Sequence, residues 1–428
     1  MEIQEKLPSR EEIPSKFKWR LEDIYASDAL WEQDFQKLQH QIDGIQAYKG
    51  RLGESAQVLL EALQFEENLL QLNEKLYAYA RMRRDEDNTN STYQALTDRA
   101  ESLSARAHAA VSFIMPEILA LPEGTLSVFR QAEPGLELYG FAFDEIMRRK
   151  EHTLSVDEEK LLAQVAEVAE APANIFKMLN NADITFEAIE GEQGTKVEVT
   201  HGRYIRLMES RDRRVRRAAF NSMYRSYRNL KNTLAAAISA NVKRNIFYAR
   251  VRKYSSALQA ALFGDNINPE VYDNLIATVR QNNAAMHRYV KLRRNMLGLD
   301  ELHMYDLYTP LVKDVEWVIT YEEAVETVKK ALAPLGADYG TVLARGLSGG
   351  WVDVYENKGK TSGAYSWGPY GSHPYILLNY QNNLNNLFTL AHELGHAMHS
   401  YYAYQEQPYT YAHYKIFTAE VASTVNEC

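Results

Sequence analysis

The segment that most restricts how this chain can fold is His392-Glu393-Leu394-Gly395-His396. It continues an apolar run, Leu384, Leu387, Leu390 and Ala391, set at helical spacing, so one helix is predicted through both. Residues four apart share a helix face, and both imidazoles can then point at one metal ion. Glu393 leaves the helix from the adjoining turn, where it can hold a water at the metal without being a ligand. The arrangement asks for a strand before the helix and a third ligand after it.

The identity of the third ligand decides the subclass. The extended metzincin pattern requires glycine and histidine where this chain has His399 and Tyr402, so that form is excluded. The alternative is a downstream glutamate on a second helix, and Glu420, within the segment Ile416 to Glu427, supplies one past a loop holding Pro408. Glu427 lies about two helical turns beyond Glu420 and can share its face. It reads equally as a carboxylate accepting a proton from a ligand imidazole and as a surface residue. His399 reads as a packing or surface histidine, and His373 and His413, in Tyr-rich loops, are not taken as ligands.

Upstream, most of the first 180 positions read as helices. Leu59, Leu60, Leu63, Leu69, Leu70, Leu72 and Leu76 recur at three- and four-residue steps, the run Asp87 to Ser91 breaks the pattern, and Ser155 with Glu158 has capping-box spacing. The segments Asp183 to Phe186 and Lys196 to Thr200 flank a Gly-containing turn and predict a hairpin. One long helical stretch is expected from about Asp212 to Tyr254, with more helix at Val271 to Leu297 and Tyr321 to Leu335. Arg213, Arg214, Arg216 and Arg217 read better as a solvated, ion-paired helix face, with Glu209 and Asp212 beside it, than as a nucleic-acid patch. Gly346 to Gly350 reads as a flexible segment. A small β element follows, from Trp351 through a Gly-, Ser- and Tyr-rich stretch to a strand at Tyr375 to Tyr380. A loose boundary is placed near residue 200, giving residues 1–200 as an N-terminal helical lobe and 201–428 as the catalytic domain.

Charge narrows the partners. A net charge of −9 argues against general binding to nucleic acid or an anionic membrane. No apolar run approaches the roughly 20 residues of a membrane helix, and the polar, mixed-charge start of the chain contains no apolar signal segment. Asn90-Ser91-Thr92 is formally a glycosylation sequon and is read as a polar loop. A single cysteine, Cys428, makes no internal disulfide, which fits a reducing, cytoplasmic setting.

The stretch His392 to Ser400, followed by Phe417-Thr418-Ala419-Glu420-Val421-Ala422-Ser423-Thr424-Val425-Asn426-Glu427, resembles the oligoendopeptidase F group of the thimet-oligopeptidase-like zinc metallopeptidases. Trp19 to Tyr25, Arg149 to Ser155 and Tyr305 to Tyr308 are similar to that family's earlier segments, so the resemblance covers essentially the whole chain. It implies a mainly α, multi-helix, clam-like zincin fold with a small β element beside the site. It implies one Zn2+ per chain held by His392, His396 and Glu420, with Glu393 as general base in the hydrolysis of short oligopeptides by a metal-activated water. It also implies that peptide backbone aligns on the β element, with Gly363, Ala364 and Tyr365 as substrate contacts. Family members continue beyond the helix holding the third ligand. The resemblance therefore implies a C-terminally incomplete catalytic domain, with a complementing C-terminal piece as an expected partner besides peptide substrates. It leaves an inactive fragment or a peptide-binding pseudoenzyme as the alternative function. A helical scaffold carrying the five-residue motif by accident is the reading outside this lineage.

Overall fold

The computed structural model describes residues 8–312 and 318–428. Helices dominate, and the few strands are short. The chain divides into two compact units, and the division does not fall near residue 200. One unit joins Met1–Arg148 to Glu316–Cys428; the other is Arg149–Val315. The expected boundary followed the order of elements along the chain. Contacts made across hundreds of residues set the observed one: Arg10 bonds Asp353, Asn88 bonds Gly359, and Asp85 bonds Thr361 and Tyr365.

In the first unit, the long helix Ala56–Glu86 starts where Ser55 accepts a hydrogen bond from the Val58 N–H, and ends where Asp87 turns extended. Its leucine stripe is buried at Leu59, Leu63, Leu69 and Leu76. Asn90 caps the next helix, Ser91–Val111, by accepting from the Thr92 and Tyr93 N–H groups. These helices and Asp28–Gly44 enclose one core around Trp31, Leu38 and Tyr79. A second core forms around Val328, Leu343, Trp351, Leu390 and Leu394.

A three-stranded sheet separates the two cores. Tyr375–Leu377 is the central strand, parallel to Val352–Asp353 and antiparallel to Tyr365–Trp367. Successive strand side chains point to opposite faces, so Tyr375 and Leu377 enter the first core and Ile376 the second. All three are fully buried. The predicted strand is thus shorter than expected, ending at Leu377. The segment read as flexible, Gly346 to Gly350, begins inside the helix Ala337–Ser348. Gly346 is there because the Trp351 indole lies on it: a Cβ would come 2.5 Å from the ring.

The second unit contains the helices Val156–Met178, Arg213–Asn229, Lys231–Val251 and Pro269–Met296. Ser155 and Glu158 form the expected capping box. The predicted single stretch from Asp212 is two helices meeting at Leu230. The hairpin pairs Ile189–Glu190 with Lys196–Val197, so its first arm lies later than the expected Asp183 to Phe186. Of the arginine face, Arg213 and Arg216 converge on the buried carboxylate of Asp306 at 3.0 and 2.8 Å, and Arg214 pairs with Glu190 and Asp212. Ion pairing is as expected, but Arg216 is buried rather than solvated. Among the described residues no single helix is long and apolar enough to cross a membrane.

Candidate metal centre

The motif helix runs Leu384–Glu406, capped at its start by Asn383, which accepts from the Asn386 N–H at 2.9 Å. Leu387, Leu390, Ala391, Leu394, Ala397 and Met398 are buried, and this one-sided burial fixes the helix rotation. His392 and His396 consequently leave on a common, partly exposed face, with their Nε2 atoms 3.1 Å apart. The chain then turns through the short helix Tyr409–Ala412, which follows Pro408, and returns as Ile416–Glu427. The return helix brings Glu420 Oε2 to 3.6 Å from His392 Nε2 and 3.7 Å from His396 Nε2. Ligand atoms bonded to zinc at about 2.0–2.1 Å with tetrahedral angles lie ~3.3 Å from one another. The three separations straddle that value, so two imidazoles and one carboxylate form a donor set that could hold such an ion.

Three details outside the ligand atoms set this geometry. A Cβ at Gly395 would lie 2.5 Å from the Ala422 carbonyl oxygen and 2.6 Å from Ser423 Cα, so glycine is what lets the two helices approach this closely. Asn426, buried, donates to the Ala391 carbonyl at 3.1 Å and accepts from the Tyr339 hydroxyl at 2.8 Å, which fixes the return helix along the motif helix. Ser423 Oγ lies 2.9 Å from Glu420 Oε2 and orients that carboxylate. One turn further on, Glu427 Oε1 lies 2.6 Å from His392 Nδ1. The structure therefore places Glu427 against an imidazole of the group rather than free at the surface.

Glu393 is buried on the motif helix, with only 7% of its surface exposed. Burial pushes its carboxyl up to about 7, with His392 opposing the shift and Glu420 adding to it. Burial holds the His396 imidazole below its ordinary value, which favours the neutral, lone-pair-bearing form that can ligate. Three other histidines toward this end of the chain do not join the group. His399 stacks on Tyr414 at 3.7 Å, His373 stacks on Trp351 and pairs with Asp23, and His413 pairs with Glu74.

The strand Tyr365–Trp367 packs against the motif helix and forms an outer edge of the sheet. Gly363, just before it, has φ +87, a left-handed conformation that glycine adopts at little cost, and its carbonyl accepts from Asn379 Nδ2 at 2.8 Å. Ala364 packs partly buried against the second core. Tyr365 turns its ring away into the first core and donates its hydroxyl to Asp85 at 2.9 Å. The Tyr365 backbone faces Leu377 in the sheet, so along this strand the outward-facing backbone is that of Ser366.

Asn426, Ser423 and Asp85 received no role from the sequence. Asn426 and Ser423 stand inside the quoted C-terminal segment, and a polar residue on the inner face of a helix was the available signal. Nothing local marks Asp85.

The profile of Peptidase family M3 matches residues 206–428, and that of Oligopeptidase F matches residues 117–186. The chain is 49% identical to oligopeptidase PepF of Bacillus subtilis over 98% of its own length and 63% of that relative's. It is 42% identical to group B oligopeptidase PepB of Streptococcus agalactiae, over 98% of its length and 70% of that relative's. The chain thus spans about two thirds of the length of these relatives. In three dimensions it is similar to a crystal structure from Chlamydophila abortus, at 33% identity and TM-score 0.85, covering 99% of this chain and 71% of the other.

Proposed function

The chain belongs to peptidase family M3, and from that premise we propose that it is a zinc-dependent endopeptidase of short oligopeptides. The observation that carries the reading is the gathering of His392 Nε2, His396 Nε2 and Glu420 Oε2 within 3.1–3.7 Å of one another. In this reading the three residues hold one Zn2+. The family match over residues 206–428 supports assigning the catalytic part to residues 201–428.

Zinc held by His392, His396 and Glu420 would supply Lewis acidity and lower the pKa of water toward 7. Glu393, one position along the helix from His392, takes a proton as water attacks the scissile carbonyl and delivers it to the leaving amine. Burial raises this carboxyl in the metal-free site, and a bound dication would draw it back toward the ionised form that a base needs. Glu427 accepts the Nδ1–H of His392, which leaves Nε2 as the nitrogen with the free lone pair and stops the ring from turning. An extended peptide added at the sheet edge would run beside Gly363, Ala364 and Tyr365, with the backbone of Ser366, which faces away from the central strand, as a hydrogen-bonding partner. Such an edge reads unfolded segments, which fits short peptides better than folded proteins.

The test is hydrolysis of an internally quenched peptide of about ten residues, with zinc quantified in the same sample. Cleavage stopped by a chelator, and lowered roughly 100- to 10,000-fold by Glu393→Gln with zinc retained, is the expected result. Loss of zinc in Glu393→Gln would show that its role is misassigned. Stoichiometric zinc without cleavage would favour a peptide-binding pseudoenzyme.

A further inference from the structure

The loop that leads into the Tyr365–Trp367 edge is held from two sides. From just beyond the central strand, Asn379 Nδ2 donates to the carbonyls of Thr361 and Gly363 at 3.0 and 2.8 Å. From the other side comes Asp85, on the last turn of the Ala56–Glu86 helix and 2% exposed. One carboxylate oxygen accepts from Thr361 Oγ1 at 2.7 Å, and the other accepts from the Tyr365 hydroxyl at 2.9 Å. The Asp85 carbonyl accepts the Thr361 N–H at 2.9 Å. Arg81, one turn back at 3.4 Å, is the neighbouring cation. Gly363 and Ala364 lie between the two Asp85 contacts and make none with it themselves, so their backbone is located by what brackets it.

We propose that Asp85 is a positioning residue for the peptide-accepting edge, acting through Thr361 and Tyr365 to set how tightly a peptide is held. The proposal rests on the reading of Gly363 to Tyr365 as a substrate edge. A buried carboxylate is suited to the task, because hydrogen bonds to a charged acceptor are shorter and stronger than neutral ones. Two donors from either end of a five-residue loop, taken by one rigid side chain, remove the freedom that the loop would otherwise lose on binding. The Tyr365 hydroxyl is the loop's anchor, and its backbone, paired with Leu377, ties the end of the loop to the central strand. Asp85 touches none of the metal-site residues, so its effect falls on binding and leaves the chemical step alone.

Two variants of the full chain test this, Asp85→Asn and Tyr365→Phe. The affinity of a fluorescently labelled ten-residue peptide is measured by anisotropy in metal-free protein, and backbone hydrogen exchange is followed over residues 361–365 and along the motif helix. Losing one charge-assisted bond is worth roughly a tenfold change in an equilibrium constant. The expected result is faster exchange at 361–365 alone, peptide affinity weakened about tenfold in both variants, and zinc content and kcat at saturating peptide retained in Asp85→Asn. Unchanged affinity or unchanged exchange in either variant overturns the proposal, as does a fall in kcat with affinity intact. Wild-type protein that binds no peptide, while exchange still rises in the variants, overturns the substrate-edge reading and the proposal with it, and leaves only a structural clamp.

Discussion

Two clusters of charged side chains in the same unit are built in opposite ways. Around Asp353, Arg10 and Lys360 supply the positive charges and Glu86 the second negative one, at 2.5–2.9 Å, and the Asp353 and Lys360 side chains are almost completely buried. Trp19 Nε1 also donates to Glu86, at 2.7 Å. Burial pushes the Asp353 carboxyl up, but Arg10 and Lys360 outweigh it and hold it below its ordinary value. That cluster closes on itself. Around His392, two imidazole nitrogens and a carboxylate oxygen converge with no fixed cation between them among the described residues, and the group is partly exposed. The first arrangement spends its hydrogen bonds on internal partners and serves to fasten the N-terminal segment to the sheet. The second leaves donor atoms converging on one point, a set that could hold a bound ion.

The two clusters therefore fail differently. The largest effect is expected from Gly395→Ala. The new methyl group forces the Ala422–Ser423 backbone to retreat by about 1 Å to reach ordinary contact distance, and it carries Glu420 with it. Zinc affinity, measured by competition with a chromophoric chelator, is expected to fall further than the roughly 10- to 100-fold typical of losing an outer partner. Wild-type affinity in this variant would mean that the close approach does not set the site. Lys360→Met breaks the closed cluster by stranding part of the Asp353 charge, at a cost of about 3 kcal/mol in unfolding free energy. Denaturant titration should show that loss while zinc affinity of the folded protein is unchanged; coupled loss of both would mean that the two clusters do not act separately. Glu427→Gln leaves the three ligands in place and weakens zinc binding by roughly 10- to 100-fold, and an unchanged constant would return Glu427 to the surface class.

The smallest effect concerns pH. The hydrogen bond to Glu74 raises the His413 imidazole above its ordinary 6.5, against burial. A raised folded-state pKa contributes stability that is complete below 6.5 and disappears as pH rises through the higher folded value. Thermal melts of wild type and His413→Gln should therefore differ more at pH 6 than at pH 8. An equal difference at both would show that the pair contributes no charge-dependent stability.

Much of the candidate site was legible because its signal is local. The four-residue spacing of His392 and His396 and the apolar stripe beside them dictate a shared face whatever the rest of the chain does. The capping box at Ser155 was legible for the same reason, since donor and acceptor lie three residues apart. Glu420 could be named as a candidate because it stands on a second helical segment after a loop. Glu427 was left between two readings because its partner lies 35 residues away, and only the crossing of two helices brings them together. The compact units join distant segments for a stronger version of that reason: Arg10 and Asp353 are 343 residues apart, and nothing in either neighbourhood announces the other.

The sequence by itself determined a helix with two imidazoles on one face, a carboxylate beside them, a candidate third ligand, and the mainly helical class. Tertiary structure alone decided that Gly395 admits the return helix, that Asn426 and Ser423 orient it, that Glu427 meets His392, and that Asp85 holds the edge strand from below. The physical reason is range. Backbone periodicity and capping act over three or four residues and can be read in order along the chain. Close packing and buried polar pairing act over a few ångströms in space between segments whose separation in sequence is arbitrary.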